Sequence, residues 1–333
     1  MTAAEQFEHI PVLGREVVEY LTFPEDRPAR LIDGTVGGGG HSAMLLQKYP
    51  RLELLGIDRD DAALAKAAET LAFAKERVRL VRGDYSEMGR FAAEAGWHTV
   101  DGVLLDIGVS SPQFDRAERG FSWRNDGPLD MRMDRRSELT ASRLLNTASE
   151  AGLERILREY GEVAKSRKLA AALVKHRDAA PFAMTADLVA VCDEVLGKSR
   201  HGQLPAPTLV FQALRIAVND ELGELERALP ETVRLLSKGG RVAVISFHSL
   251  EDRIVKNFFR REAATCVCPP GLPVCVCGKV ATLEILTRKA VSAQPDELER
   301  NRRCASAKLR AAKKIIESEK QHLPIEKGTG ELA

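Results

Sequence analysis

The 333 residues carry 49 basic and 48 acidic side chains, a net charge of +1, and 44% of them are hydrophobic. That length points to one large domain with an insertion, or to two domains, with enough apolar residues for a core. The charge balance excludes nucleic-acid binding by bulk electrostatics, so any basic patch must be local. The opening stretch MTAAEQFEHIPVL has no basic segment followed by an apolar one and is not expected to be a signal peptide. No apolar run reaches the length of a membrane span. The cysteines at 192, 266, 268, 275, 277 and 304 are too few for a disulfide scaffold at this length, and are expected as reduced thiols in a cytoplasmic protein.

In chain order, ARLIDGT (29–35), ELLGID (53–58), RVRLVRGD (77–84) and VDGVLLDIG (100–108) read as buried strands. The helical stretches HSAMLLQKY and DDAALAKAAETLAFAKE fall between them. This alternation predicts an α/β fold: a parallel sheet with helices on both faces. Ligands of such sheets bind at the carboxyl ends of the strands. Asp33, Asp58, Asp84 and Asp106 end the four strands or lie next to their ends, and four acidic residues in register favour a polar ligand there over simple turn formation. Residues 115–205 show helical spacing and no convincing strand, and are expected to form an inserted helical unit. TLVFQALRIAVNDELGELERALPETVRLLSKGG is then a long helix or a broken pair stopped by Gly239 and Gly240. RVAVISF (241–247) is a fifth strand, and 282–291 with 306–315 predict a closing hairpin. The expected organisation is a core over 1–114, the helical unit over 115–205, the core again over 206–316 and a loose tail over 317–333.

The run Gly37 to Gly40, with Gly34 upstream, does not fit the dinucleotide fingerprint in any register. Gly34 and Gly39 have P-loop spacing, but Gly40 and His41 stand where Lys and Ser/Thr are needed. An acidic residue followed by G-x-G-x-G, the S-adenosylmethionine loop of Rossmann-like methyltransferases, fits as Asp33, Thr35, Gly37 and Gly39, with Thr35 replacing the first glycine. Asp58 would then accept from ribose hydroxyls. His41 is either a cofactor contact or a group that stacks at the loop.

Three stretches concentrate cations: 164–177, 300–314, and ERGFSWRNDGPLDMRMDRR, where Phe121 and Trp123 lie among arginines. Arginine interleaved with aromatics suits single-stranded RNA, so the helical unit and the C-terminal basic segment are expected to hold RNA. CVCPPGLPVCVCG pairs two C-x-C units; four thiolates would make a tetrahedral zinc site, although structural sites usually space C-x₂₋₄-C. A loop of buried small thiols is the alternative, and no metal is assigned.

Several strings together carry a resemblance: HIPVL (9–13), DGTVGGGGHS (33–42), GIDRD (56–60), LLDIGVSSPQFDRAERGFSWRNDGPLDMRMD (104–134), TLVFQALRIAVNDELGELERAL (208–229), ISFHSLEDRIVKNFF (245–259) and NRRCASAKLRAAKK (301–314). The chain resembles the bacterial small-subunit ribosomal RNA cytosine-N4-methyltransferases from about residue 9 to 315. The resemblance implies a Rossmann-like, class I S-adenosyl-L-methionine-dependent methyltransferase with an inserted all-helical domain. It also implies methylation of N4 of one decoding-centre cytosine of 16S rRNA, cytosine 1402 in standard rRNA numbering. The partner is then 16S rRNA in the small ribosomal subunit, with no membrane and no obligate protein partner; a homodimer is left open. Carried across motif by motif, the cofactor positions are Gly39, Gly40, His41, Asp58, Tyr85, Asp106 and Gln113. Acidity would have favoured Asp84 over Tyr85 as the adenine contact. Many amino-methyltransferases place Asp/Asn-Pro-Pro-aromatic after the fourth strand. Here DIGVSSPQF stands instead, so Asp106 orients the amine as catalytic residue, binds cofactor, or both. His248 in SFHSLED would contact RNA phosphate, orient the base, or satisfy a buried loop. Rival functions are a small-molecule methyltransferase, disfavoured by the basic segments and the insertion, and a non-catalytic rRNA-binding assembly factor, disfavoured by the intact loop with Asp58.

Overall fold

The computed structural model describes residues 11–109, 111–197, 205–269 and 274–317. The strands are β1 (Ala29–Asp33), β2 (Leu52–Asp58), β3 (Val78–Arg82), β4 (Val100–Asp106), β5 (Leu236–Ser246), β6 (Leu283–Ile285) and β7 (Lys308–Lys314). Among the described residues they form one sheet in the order β3-β2-β1-β4-β5-β7-β6. β1 to β5 run parallel, and β7 enters antiparallel between β5 and β6. The order reverses between β1 and β4, which opens a crevice at their carboxyl ends. This is the α/β class expected, with the closing hairpin present.

Helices in the first part are α1 (Gly14–Tyr20), α2 (Gly40–Lys48), α3 (Asp61–Thr70), α4 (Met88–Glu94) and α5 (Ser111–Asp115). Next come α6 (Ala141–Thr147), α7 (Glu150–Glu159), α8 (Ser166–Ala179), α9 (Thr185–Leu196) and α10 (Ala206–Asn219). The last three are α11 (Glu221–Leu235), α12 (Ser249–Ala263) and α13 (Pro295–Arg300). No helix of the described residues is long and apolar enough to cross a membrane.

Successive strand residues point to opposite faces, and the core divides accordingly. Leu31, Leu54 and Leu104 pack with Leu13, Val17, Leu45 and Leu71 from α1–α3 and their flanks. Their neighbours Ile32, Leu55 and Leu105 pack on the other face with Met88, Leu225 and Phe259 from α4, α11 and α12. Full burial on both faces explains why these strands read as near-continuous apolar runs.

A third cluster is helical: Leu145, Leu157, Leu173 and Leu188 from α6–α9 meet Val210, Leu214 and Val218 from α10. A boundary at 205/206 therefore separates α10 from the core it packs in. An apolar helical stripe announces a buried face but not which core buries it. The long helical stretch is a broken pair, parted at Asp220, whose φ is 50°. Its second helix stops at Leu235, not at Gly239 and Gly240. Those glycines lie inside β5, where pairing with β4 jumps from Val100–Leu236 to Gly102–Arg241 and Gly239 takes φ 84°.

The first and last described segments meet. The Leu13 amide donates to Glu297 Oε1 at 2.7 Å, and Arg15 pairs with Asp296 at 2.7 Å. Cys304, Ala307 and Leu309 join the cluster that holds Leu13 and Val17. The tail expected to be loose lies outside the described residues from 318 on.

Candidate cofactor and catalytic site

The backbone leaving β1 crosses the end of β4, with the Gly34 amide donating to the Leu104 carbonyl at 2.9 Å. A Cβ at Gly34 would lie 2.6 Å from Leu105 Cδ2 and 2.9 Å from Tyr85 Cβ, so only glycine allows that approach. Thr35, the residue that breaks the glycine pattern, accepts the Asp106 amide on its hydroxyl at 2.6 Å. It pins the loop to β4, a role glycine could not fill. Gly37 and Gly39 take φ of 52° and 83°. At Gly39 a Cβ would also meet Leu71 at 3.1 Å and Ala67 at 3.3 Å, so the loop runs against α3 before α2 starts at Gly40.

Asp58 holds this loop. Its Oδ2 accepts from the Gly37 amide and its Oδ1 from the Asp60 amide, both at 2.9 Å. Each oxygen keeps a second lone pair for a ligand hydroxyl. Burial raises the Asp58 pKa. The four rim aspartates are not one ligand set, however. Asp33 is 2% exposed and accepts from Ser42 Oγ at 2.6 Å and the Thr35 amide at 3.2 Å, so it shapes the loop from within. Asp84 pairs with Arg59 at 2.7 Å, and Arg59 also pairs with Glu224. The neighbouring Tyr85 packs beside Gly34, and burial pushes its hydroxyl pKa up. Gln113 on α5 is buried and donates to Asp60 Oδ2 at 3.1 Å, beside Arg119 at 3.0 Å from the same oxygen. Ser110 lies outside the described residues.

Asp106 and His41 face each other at the crevice. His41 Nδ1 lies 3.6 Å from Asp106 Oδ2. His41 Nε2 is 2.8 Å from the Val12 carbonyl, an acceptor only, so Nε2 carries the hydrogen and Nδ1 of the neutral ring presents a lone pair. Burial lowers the pKa of this ring. Asp106 Oδ1 is buried without a hydrogen-bond partner among the described residues. Burial, with the charge of Glu251 adding to it, raises the Asp106 pKa to about 7. The arrangement offers one poised carboxyl oxygen beside a neutral imidazole, suited to receiving a proton.

Of the three roles expected for His248, the structure bears on the structural one. It caps α12: its Nδ1 accepts from the Glu251 amide at 3.3 Å, while Glu251 Oε2 accepts from the Phe247 and His248 amides at 2.8 and 3.2 Å. Nearby, Arg215 grips both oxygens of Glu221 at 2.8 Å and supplies positive charge to this acidic group.

The expected RNA-binding stretches divide. Phe121 is buried in the helical cluster, and Trp123 donates its indole N–H to Thr208 at 3.1 Å, so both are packing residues rather than open stacking platforms. Arg119 donates to Asp60 and to the Arg132 carbonyl at 2.9 Å, and Arg132 is paired with Asp130 at 2.7 Å. In the C-terminal run, Arg310 pairs with Asp252 at 2.6 Å and Lys313 with Glu284 at 2.5 Å. Lys314, in the same run, is buried and donates to the Val233 carbonyl. The second half of that run is β7, and these three cations hold the sheet to its surroundings. Arg167, Lys168 and Lys175 on α8 are exposed. Phe114, which ends the SSPQF string and was not singled out, is 41% exposed beside Gln113, its ring 6.5 Å from Phe121. The signal for it lay in the Asp/Asn-Pro-Pro-aromatic comparison, where an aromatic closes the segment.

A family model described as the MraW methylase family matches residues 6–315. The protein named ribosomal RNA small subunit methyltransferase H from Heliobacterium modesticaldum is 51% identical over 314 residues, covering 93% of this chain and 99% of that one. Its namesake from Geobacter sulfurreducens is 51% identical over 312 residues, with the same shares. That from Symbiobacterium thermophilum is 49% identical over 313 residues, covering 93% and 97%. The cofactor is S-adenosyl-L-methionine. The site fits it: a Cβ at Gly37 would meet only the Thr35 carbonyl oxygen, at 3.8 Å, and Asp106 Oδ1 is an unpartnered acceptor among the described residues at the same rim. With the model spanning the sheet, the glycine loop and the helical cluster, and about half the residues shared with relatives over nearly full length, the chain belongs to the MraW methylase family.

Proposed function

We propose that the chain transfers the methyl group of S-adenosyl-L-methionine to N4 of one cytosine in the decoding centre of 16S rRNA, cytosine 1402 in standard numbering. Methylation of small-subunit rRNA accords with the names of its relatives. Transfer to an amine is supported by Asp106, a carboxyl with one unpartnered oxygen beside the loop. The bound cofactor supplies a methyl already electrophilic on its sulfonium. Gly37 to Gly40 let it lie against backbone, with His41 at the start of α2; Asp58 takes the ribose hydroxyls, Tyr85 lies against the adenine, and Gln113 closes the rim through Asp60.

The difficulty is the nucleophile, because the cytosine amine lone pair is delocalised into the ring. Asp106 Oδ1 would accept an amine hydrogen, localise the lone pair, and take the proton as the nitrogen–methyl bond forms and the methyl–sulfur bond breaks, its electron pair remaining on sulfur. His41, its pKa lowered by burial, stands as a neutral ring beside the carboxyl, Nδ1 3.6 Å from Oδ2. A base in structured RNA must be extruded to reach this crevice. Phe114 offers the stacking face, and Arg167, Lys168 and Lys175 offer charge to phosphates.

The test is labelled methyl transfer to small subunits lacking the modification, followed by nucleoside mass spectrometry. N4-methylcytosine is expected; label on another base, or on protein alone, overturns the reading. Phe114→Ala is expected to lower kcat/KM for the subunit by about 10–100-fold, from loss of about 1–3 kcal/mol of stacking, with cofactor affinity unchanged. Isothermal titration of cofactor alongside the rate assay checks both halves.

A further inference from the structure

We propose that Cys266, Cys268, Cys275 and Cys277 bind one zinc ion, in a structural site that staples the excursion between α12 and β6. Their Sγ atoms all lie within 4.8 Å of one another. Four of the six separations are 3.5 Å for Cys275–Cys266 and Cys275–Cys277, and 3.9 Å for Cys268–Cys275 and Cys277–Cys266. A zinc–sulfur bond of about 2.3 Å in a tetrahedron sets sulfurs about 3.8 Å apart, so the thiols already occupy the corners. The same separations exceed a disulfide bond of about 2.0 Å. The tightness of a C-x-C pair is therefore no obstacle here, because Cys275 and Cys277 present both sulfurs to one centre.

Other observations point the same way. The Val267 amide donates to Cys277 Sγ and the Cys268 amide to Cys266 Sγ, both at 3.4 Å, the polarity that stabilises thiolate ligands. Gly278 follows the last cysteine with φ 60°, a left-handed turn that glycine favours. The ends of the excursion are tied at Glu262, which accepts from the Thr282 hydroxyl at 2.6 Å and from Lys279 at 3.1 Å. Between those ties the segment has little core of its own. Val267, Val274, Val276 and Val280 are 52–78% exposed, and none of the four cysteines is buried, so the buried-thiol alternative fails. Four reduced thiols, none of them buried, would hold no shape without a metal. Binding displaces the thiol protons to solvent and moves no electrons. β6 is the far edge of the sheet, three strands from β4, so the ion acts on the fold and not on the transferred methyl.

The test uses the full chain purified without chelator. One zinc per chain is expected by elemental analysis, released in step as a mercurial titrates four thiols. Cys275→Ser/Cys277→Ser is expected to carry no zinc, with S-adenosyl-L-methionine affinity unchanged. Should that variant fail to fold, cobalt exchange into the wild-type chain still decides, since a four-thiolate tetrahedral site gives intense visible bands. A metal-free chain that takes up no cobalt, an iron-loaded centre, or two disulfides in the reduced preparation would each overturn the proposal.

Discussion

Asp106→Asn is expected to slow methyl transfer about 10²–10⁴-fold, the range in which a positioned general base contributes, while S-adenosyl-L-methionine still binds. The acceptor is the ionised form. With the carboxyl pKa raised to about 7, the wild-type kcat should climb with pH below that value and level above it. The Asn variant should lack the climbing limb. Stability moves the opposite way. A folded pKa above the unfolded one makes the ionised carboxyl a cost to the fold, growing from the ordinary carboxylate range up to about 7 and constant beyond it. Asparagine is never charged, so the melting temperature above pH 7 should not fall. A variant that keeps its rate and its pH limb would remove Asp106 from the chemistry; one that loses rate and melting temperature together would make it merely structural.

Arg119→Met is the second large effect. The guanidinium is 7% exposed and joins Asp60, at the rim beyond β2, to the Arg132 and Met133 carbonyls of the segment leading into α6. It thereby fastens the helical cluster to the methyltransferase sheet. Removing one partner of a buried pair costs about 3–5 kcal/mol, because the charge left behind is uncompensated. The Asp60 pKa, lowered in part by hydrogen bonds from Gln113 and Arg119, should rise. The expected result is a melting transition lowered by several degrees, or split in two as the helical cluster detaches, with increased protease cleavage between 116 and 140. An unchanged calorimetric profile would show that the join rests on apolar contacts alone.

The sheet was legible because buried parallel strands are continuous apolar runs: β1 to β4 lie within two residues of where the composition puts them. β5 was caught only in its second half, since Leu236 to Gly240 read as the tail of a helix. The glycine loop was legible through spacing, and Asp58 through its place after β2. What Thr35 does was not, because its partner is a backbone amide 71 residues away. Cations were the least legible. Arg310 and Lys314 have the same composition as an RNA-binding run, and their side chains become structural only when Asp252 and the Val233 carbonyl are brought to them by tertiary folding. Phe121 and Trp123 failed for the same reason: an aromatic among arginines has no sequence mark that separates core from stacking surface.

The contact of the Leu13 segment with Glu297 bears on when the site takes shape during synthesis. Val12, whose carbonyl holds His41, adjoins Leu13, whose amide is held by Glu297. One face of the sheet is likewise completed by Leu309 and Ala311. β1 to β4 can pair early as they emerge, but the imidazole beside Asp106 is fixed only once the stretch from Glu297 to Ala311 has been made, through contacts of very long sequence separation. A nascent chain stalled before that point would carry the glycine loop and Asp106 but not the fixed imidazole beside it, so the site matures late by topology.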